Sequence, residues 1–99
     1  MDLSIIVITY NSRVTVERCL SSIEAHAPSC AYETIVIDNA SVDGTAAAVA
    51  GRFPRARVVA NGENLGLSRA VNQGIRLSSG RAILIINPDI VVGNGSIDR

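Results

Sequence analysis

Four short apolar runs rich in β-branched residues alternate along the chain with three segments of helical periodicity. Such alternation with short connections predicts parallel strands, right-handed crossovers and helices on both faces of one sheet. We therefore expect a three-layer α/β fold whose mostly parallel sheet has the strand order 3-2-1-4. The predicted strands are 3–8, 33–37, 56–60 and 82–86, and the predicted helices are 13–26, 46–53 and 66–77.

The fourth run, residues 82–86, is unbroken and leads directly into Asn87, Pro88 and Asp89. An unbroken β-branched run is typical of a strand buried on both faces of a parallel sheet. Pro88 cannot donate a ladder hydrogen bond, so the strand should end before it. Asp89 would then lie at the carboxyl end of a central strand, where open α/β sheets bind ligands. Its carboxylate is a ligand suited to Mg²⁺ or Mn²⁺.

Polar residues also follow the other predicted strands. Because parallel strands bring their carboxyl ends to one edge, we expect these side chains to converge there as a ligand site. The residues concerned are Thr9, Tyr10 and Asn11 after strand one, Asp38, Asn39 and Asp43 after strand two, Asn64 and Gly66 after strand three, and Asp89.

Several of these residues also have a purely structural interpretation. Asp38 can shape an Asx turn, although a carboxylate accepting hydrogen bonds from a base or ribose is favoured. Asp43 is fully explained as a cap of the second helix. Residues 64–66 form a turn that can also bring backbone amides to a phosphate. For Asp89, turn formation and metal binding have equal weight on the residues alone.

Composition limits the function classes. The chain has 99 residues, 47% of them apolar, and zero net charge, which predicts a single globular domain. It has no basic run and only two tyrosines and one phenylalanine, so nucleic acid is not an expected partner. All nine basic residues are arginine. A bound phosphate would therefore contact arginine, backbone amides, a helix N-terminus or a metal.

The longest apolar run is too short to span a bilayer, and Asp2 stands where a signal peptide would carry a basic residue. These features predict a cytoplasmic protein, with Cys19 and Cys30 as reduced core thiols. The apolar run of strand four continues at residues 90–92, close to where the sequence stops. We therefore expect exposed apolar surface there and self-association of the chain.

Four segments in register carry a resemblance to a known family. Together they resemble the N-terminal, nucleotide-sugar-binding half of a family two glycosyltransferase with the Rossmann-like GT-A fold, closest to the rhamnosyltransferase-like branch. By this resemblance residues 1–99 are a donor half, truncated at the C-terminus. The segments are SIIVITYNS, IVIDNASVDGT, NGENLGLSRAVNQG and AILIINPDIVV.

The resemblance implies a nucleotide-diphosphate sugar, such as a UDP- or dTDP-sugar, bound across the strand ends. Asp89 matches the last acid of the family's Asp-X-Asp motif and would coordinate Mg²⁺ or Mn²⁺ at the diphosphate. Asn87 occupies the position of the first acid of that motif. The implied nucleotide-binding residues are Thr9, Tyr10 and Asn11 at the nucleoside, Asp38 at the base, and Asn64, Gly66 and Asn87.

The implied activity is inverting, metal-assisted transfer of a sugar to a saccharide or lipid-linked acceptor in polysaccharide or cell-envelope biosynthesis. The parent protein would work in the cytoplasm, at the inner face of the membrane. In this family the general base and the acceptor site belong to the second half, beyond Arg99. A non-catalytic nucleotide-binding or assembly module is the alternative. A dinucleotide-binding oxidoreductase is disfavoured, because strand one leads into TYNS instead of a Gly-X-Gly-X-X-Gly turn.

Overall fold

A computed structural model describes residues 1–89 of the chain, and its secondary structure follows the predicted alternation. The predicted elements are all present, with boundaries shifted by a few residues at most. The elements are β1 (Leu3–Thr9), α1 (Arg13–Ala25), β2 (Tyr32–Asp38), α2 (Thr45–Arg52), β3 (Arg57–Ala60), α3 (Leu67–Leu77) and β4 (Ala82–Ile86).

The four strands form one sheet in the order β3-β2-β1-β4, and every neighbouring pair is parallel. The predicted order is therefore confirmed. In register, Thr9 of β1 lies beside Asp38 of β2, and Val7 of β1 lies beside Ile86 of β4. The carboxyl ends of the four strands consequently face one edge, which we call the upper edge.

Helices cover both faces of the sheet, as predicted. On one face, α1 and α2 pack on alternate residues of β1 and β2, with Ile5, Val7 and Val36 fully buried. On the other face, α3 packs against β1 and β2. A Cβ at Gly74 of α3 would lie 2.7 Å from Cγ2 of Ile6, so this glycine lets the helix approach the sheet closely.

The prediction that the fourth strand is buried on both faces is wrong for the described residues. Leu84 is half-buried and Ile86 is buried against the α1 side. Ile83 and Ile85, on the α3 side, are 41% and 47% exposed. Within residues 1–89, β4 is an edge strand of the sheet. Because α3 packs over β1 and β2, it leaves this face of β4 exposed.

Apolar surface is therefore exposed along the last described strand. The predicted exposure at residues 90–92 lies outside the described residues, and self-association stays a prediction. None of the helices in residues 1–89 is long and apolar enough to cross a membrane.

At the amino ends of the strands, which we call the lower edge, a carboxylate joins three elements. Ser4 donates its hydroxyl hydrogen to Oε2 of Glu33 at 2.5 Å, and Ser79 donates from its backbone N–H at 2.7 Å and its hydroxyl at 2.9 Å. The N–H of Gly80 donates to Ser4 Oγ at 2.8 Å. Glu33 therefore holds β1, β2 and the loop before β4 together.

Candidate functional site

At the upper edge, the loops after β1 and β2 are joined through Asp38, Ser41 and Asn11. The hydroxyl of Ser41 donates to Oδ1 of Asp38, and its backbone N–H donates to Oδ2 at 3.2 Å. The N–H of Asn11 donates to Ser41 Oγ at 2.7 Å, and Asn11 Oδ1 accepts the N–H of Val42 at 2.8 Å. Asp38 is only 2% exposed, and its carboxylate holds the loop through Ser41, which is the structural alternative that the sequence did not favour; its contact with a base stays a prediction.

Two non-glycine residues in these loops have left-handed backbone conformations: Asn11, with φ of 47°, and Ala40, with φ of 65°. Asparagine tolerates this conformation better than most residues, whereas alanine adopts it at an energetic cost. The bonds to Ser41 and Val42 hold Asn11 in place despite its exposure. These loops are therefore constrained by side-chain bonds rather than by favourable local backbone geometry.

Asp43 lies between the N-termini of α1 and α2. Its Oδ2 accepts the N–H of Arg13 at 3.2 Å, and its Oδ1 accepts the N–H of Thr45 at 3.1 Å. The Thr45 hydroxyl also donates to Oδ1 and, with these backbone donors, lowers the pKa of the Asp43 carboxyl. The residue at the N-cap position itself is Gly44, with φ of 82°. Asp43 is therefore not the N-cap residue of α2 that the sequence predicted, although its carboxylate accepts the first N–H of both α1 and α2.

The loop after β3 leads into α3 and carries Asn64 and Gly66, both exposed. Asn64 Oδ1 accepts the N–H of Gly66 at 2.8 Å, and Gly66 has φ of 80°. Among residues 1–89, no side chain caps the N-terminus of α3. The partial positive charge at that helix end is therefore available to an anion, as the sequence interpretation anticipated.

After β4, the exposed side chains of Asn87 and Asp89 stand beside the end of β1. Cys19 of α1 lies beneath them, with Sγ 4.0 Å from the carbonyl oxygen of Asn87. Burial, with a smaller contribution from the Asp89 charge, raises the pKa of the Cys19 thiol to about 11. Cys19 is therefore a protonated core thiol at neutral pH, as expected, whereas the core position expected for Cys30 is wrong, because Cys30 is exposed.

The side chains around Asp89 determine which metal ions could bind there. Within residues 1–89, no three His, Cys, Asp or Glu side chains come together as a metal cluster. One exposed carboxylate beside the Asn87 amide nevertheless fits Mg²⁺ or Mn²⁺, because such ions are often held by one or two carboxylates plus water and substrate phosphates. These residues suit a cation that a bound ligand also coordinates, and not one that is coordinated by protein groups alone.

Thr9 differs from the other predicted binding residues, because it is buried just beneath the upper edge. It is 1% exposed, and its Oγ1 has no hydrogen-bond partner among the described residues. Tyr10, the next residue, is 52% exposed at the edge itself. A direct role for the Thr9 hydroxyl at a nucleoside therefore stays a prediction.

The structure brings the predicted residues to one edge, and it adds residues that the sequence did not single out. Ser41 organises Asp38 and Asn11, and the amides of Asn61 and Gln73 lie behind the loop before α3. Asn39, which was predicted to be part of the ligand site, lies with these two amides and is buried. For Ser41, the spacing of three residues after an aspartate was an available signal. For Gln73, no local signal exists, because its partner is in a different element.

A parallel α/β sheet with polar loops gathered at its carboxyl ends, next to an uncapped helix N-terminus, is an arrangement in which α/β proteins bind nucleotides. Comparisons with known proteins identify the family to which the chain belongs. The sequence profile of Glycosyl transferase family 2 matches residues 4–98, and the chain belongs to that family of transferase enzymes.

Known relatives and solved structures agree with this assignment. The N-acetylglucosaminyl-diphospho-decaprenol L-rhamnosyltransferase of Mycobacterium tuberculosis H37Rv is 33% identical over 107 residues, which include 97% of this chain and 34% of that protein. The mannosyltransferase PcManGT of Pyrobaculum calidifontis, solved with GDP-Man and Mn²⁺, is 32% identical with a TM-score of 0.79, over 88% of this chain and 27% of that one.

The structure of S. aureus TarS residues 1–349 with UDP-GlcNAc superposes with a TM-score of 0.88 over 99% of this chain and 29% of that one. At 23% identity, this similarity shows the fold alone. The parallel sheet in the order 3-2-1-4 is that of these GT-A glycosyltransferases. The chain spans about a third or less of the length of the relatives and structures it matches.

Proposed function

We propose that the upper edge binds the nucleotide-diphosphate part of a sugar donor, and that the protein transfers the sugar to a saccharide or lipid-linked acceptor in cell-envelope biosynthesis. The observation that carries the proposal is the convergence of four polar loops at one edge in a member of this family. Tyr10, Asn11 and Asp38 would meet the nucleoside, and Asn64 and Gly66 would lie beside the diphosphate. The named activities of the relatives support this choice.

Charge at the edge supports a divalent cation as part of the site. The described residues contain no lysine, and Asp38 and Asp89 would both face a diphosphate that is itself negative. Without a cation these charges repel one another, and the N-terminus of α3 is the main offset. A cation held by Asp89 would stabilise the negative charge of the departing nucleoside diphosphate. The Mn²⁺ in the PcManGT structure supports the same assignment.

The test is calorimetric titration of the 99-residue chain with UDP and with dTDP, each with and without Mn²⁺. We expect the parent to bind only with Mn²⁺. Asp89→Asn should lose the metal dependence and about tenfold or more in affinity, because asparagine keeps the turn chemistry but removes the charge. Its thermal stability should stay close to that of the parent, since Asp89 is exposed.

Glu24→Gln is the matched control, because it removes one exposed negative charge near the C-terminal end of α1, away from the upper edge, and should leave the affinity and the response to Mn²⁺ unchanged. Asp43→Asn is unsuitable as a control, since both Asp43 oxygens accept backbone N–H groups and an amide nitrogen would face one donor. If Asp89→Asn binds as tightly as the parent, with the same response to Mn²⁺, the residue is a turn former and the proposed metal site is wrong.

A further inference from the structure

We propose that Asn39 is a positioning residue of this site: its buried amide holds the loop of residues 61–66 at the upper edge before any ligand arrives. The proposal rests on the proposed function, because it concerns the loop that would lie beside the diphosphate. Asn39 itself would not touch the nucleotide, since both ends of its amide are engaged by the backbone of that loop.

The Asn39 side chain makes hydrogen bonds to two backbone groups just before α3. Asn39 Oδ1 accepts the N–H of Leu65 at 3.3 Å, and Asn39 Nδ2 donates to the carbonyl oxygen of Gly66 at 3.3 Å. The donors and acceptor of an amide have fixed directions in one plane. Simultaneous contact with both groups therefore specifies the orientation of the loop as well as its distance from β2.

Two further amides connect Asn39 to the neighbouring elements. Asn61 donates from Nδ2 to Asn39 Oδ1 at 3.1 Å and to Gln73 Oε1 at 3.0 Å, and Gln73 Nε2 donates back to Asn61 Oδ1 at 2.8 Å. The N–H of Asn61 also donates to the carbonyl oxygen of Asp38 at 2.9 Å. The start of the loop is thus fixed to β2 and to Gln73 of α3, and its end is held by Asn39.

The same contacts also order the exposed residues of the loop. Gly66, whose carbonyl is held by Asn39, has its N–H bound to Asn64 Oδ1. A loop that is already ordered binds its ligand without losing further conformational freedom, which favours affinity. Removal of the Asn39 amide should therefore weaken nucleotide binding through the loop, while the metal dependence conferred by Asp89 persists.

The experiment combines amide hydrogen exchange by NMR with UDP titration in Mn²⁺, on the 99-residue chain. In ligand-free Asn39→Ala, the Leu65 N–H should exchange about tenfold faster, because it loses its acceptor, while the core amide of Val36 keeps its rate. The Kd for UDP should rise about tenfold. Asn72→Ala, the same substitution at an exposed position of α3, should change neither quantity.

Unchanged exchange at Leu65 would overturn the proposal, and so would faster exchange with an unchanged Kd for UDP. If the parent fails to bind UDP although Leu65 exchange accelerates in the variant, the proposed function is wrong and the positioning role fails with it. If Asn39→Ala does not fold, the same two measurements are made on Gln73→Glu. This substitution removes the side-chain donor to Asn61 at a half-buried position, so the same changes in Leu65 exchange and in the Kd for UDP are expected. A destabilised core variant, Phe53→Leu, should leave the Leu65 rate relative to Val36 unchanged.

Discussion

The two ends of β2 carry carboxylates in contrasting surroundings. Glu33, at the lower edge, accepts hydrogen bonds from Ser4 and Ser79, and the loop before β4 closes directly over it. Asp38, at the upper edge, also accepts from a serine, but the loops around it present exposed side chains such as Tyr10 and Asn64. The lower edge satisfies its polar groups internally, whereas the upper edge leaves a row of them facing solvent.

The difference shows why a carboxylate at a strand end is not by itself evidence of a binding site. Glu33 and Asp38 are on one strand, and both are engaged by hydroxyl and backbone donors. Within the described part of the chain, residues 1–89, only the upper edge combines its carboxylate with a helix N-terminus that no side chain caps and with an exposed second acid, Asp89. The neighbours of the carboxylate, and not the carboxylate alone, mark the ligand edge.

The largest expected effect comes from opening the closed lower edge at Gly80. A Cβ there would lie 2.7 Å from the carbonyl carbon of Leu3, which is backbone and cannot move aside cheaply. We expect Gly80→Ala to lower the free energy of unfolding by about 3 kcal/mol, measured by urea denaturation. Gly62→Ala is the control, because nothing lies within 4 Å of its added Cβ. Equal effects of the two substitutions would show that the lower edge is not tightly packed.

An intermediate effect is expected from Glu33, with a defined pH dependence. The Ser4 hydroxyl, followed by the Ser79 donors, lowers the pKa of the Glu33 carboxyl below its ordinary 4.5. A lowered folded-state pKa means that this stabilisation is present above the unfolded value and is lost as pH falls through the folded value. Glu33→Ala should cost about 1–2 kcal/mol at pH 7.

Glu33→Gln tests the sign of this linkage. Urea denaturation at several pH values should show a weaker loss of stability below pH 4.5 than in the parent, because the titrating group has been removed. Glu24→Gln removes the same charge from an exposed position of α1 and serves as the control. An acid dependence in Glu33→Gln as steep as in the parent would mean that other carboxylates dominate the acid response.

The smallest effect concerns the strained upper loops. Ala40 has φ of 65°, which glycine adopts without steric cost. Ala40→Gly should therefore raise the free energy of unfolding by about 0.5 kcal/mol, even though glycine loses more entropy on folding. Ala47→Gly, at an exposed position in α2, should instead lower it by about 1 kcal/mol. Thermal denaturation of the two variants would separate these signs, and a loss of stability in Ala40→Gly would contradict the strain assigned here.

The alternation of apolar runs with helical segments was sufficient to predict the order and direction of the strands, because short right-handed crossovers leave few possible topologies. The burial of β4 was not predictable in the same way. Whether Ile83 and Ile85 are covered depends on the position of α3 relative to the sheet, which is a tertiary property.

The same distinction between local and tertiary properties applies to the candidate site. The bonds of Asp38 to Ser41 and of Asp43 to Thr45 are local, so residue types and short spacings indicated that these carboxylates could shape their loop. The pairing of Asn61 with Gln73 joins a strand end to a helix, and no periodicity encodes it. The buried position of Thr9 likewise depends on α1, which packs over its side of the sheet.

The central position of β1 in the sheet sets an order for folding during synthesis. Leu3 pairs with Tyr32, 29 positions later, but also with Ala82, 79 positions later. Closure over the longer span has the higher entropic cost, so β1 and β2 should pair first. Ile86 follows Asp38 by 48 positions, which corresponds to roughly 2–10 s of translation. Throughout that interval the edge of β1 that will receive β4 remains unpaired, and the nascent chain exposes an apolar strand edge to other chains.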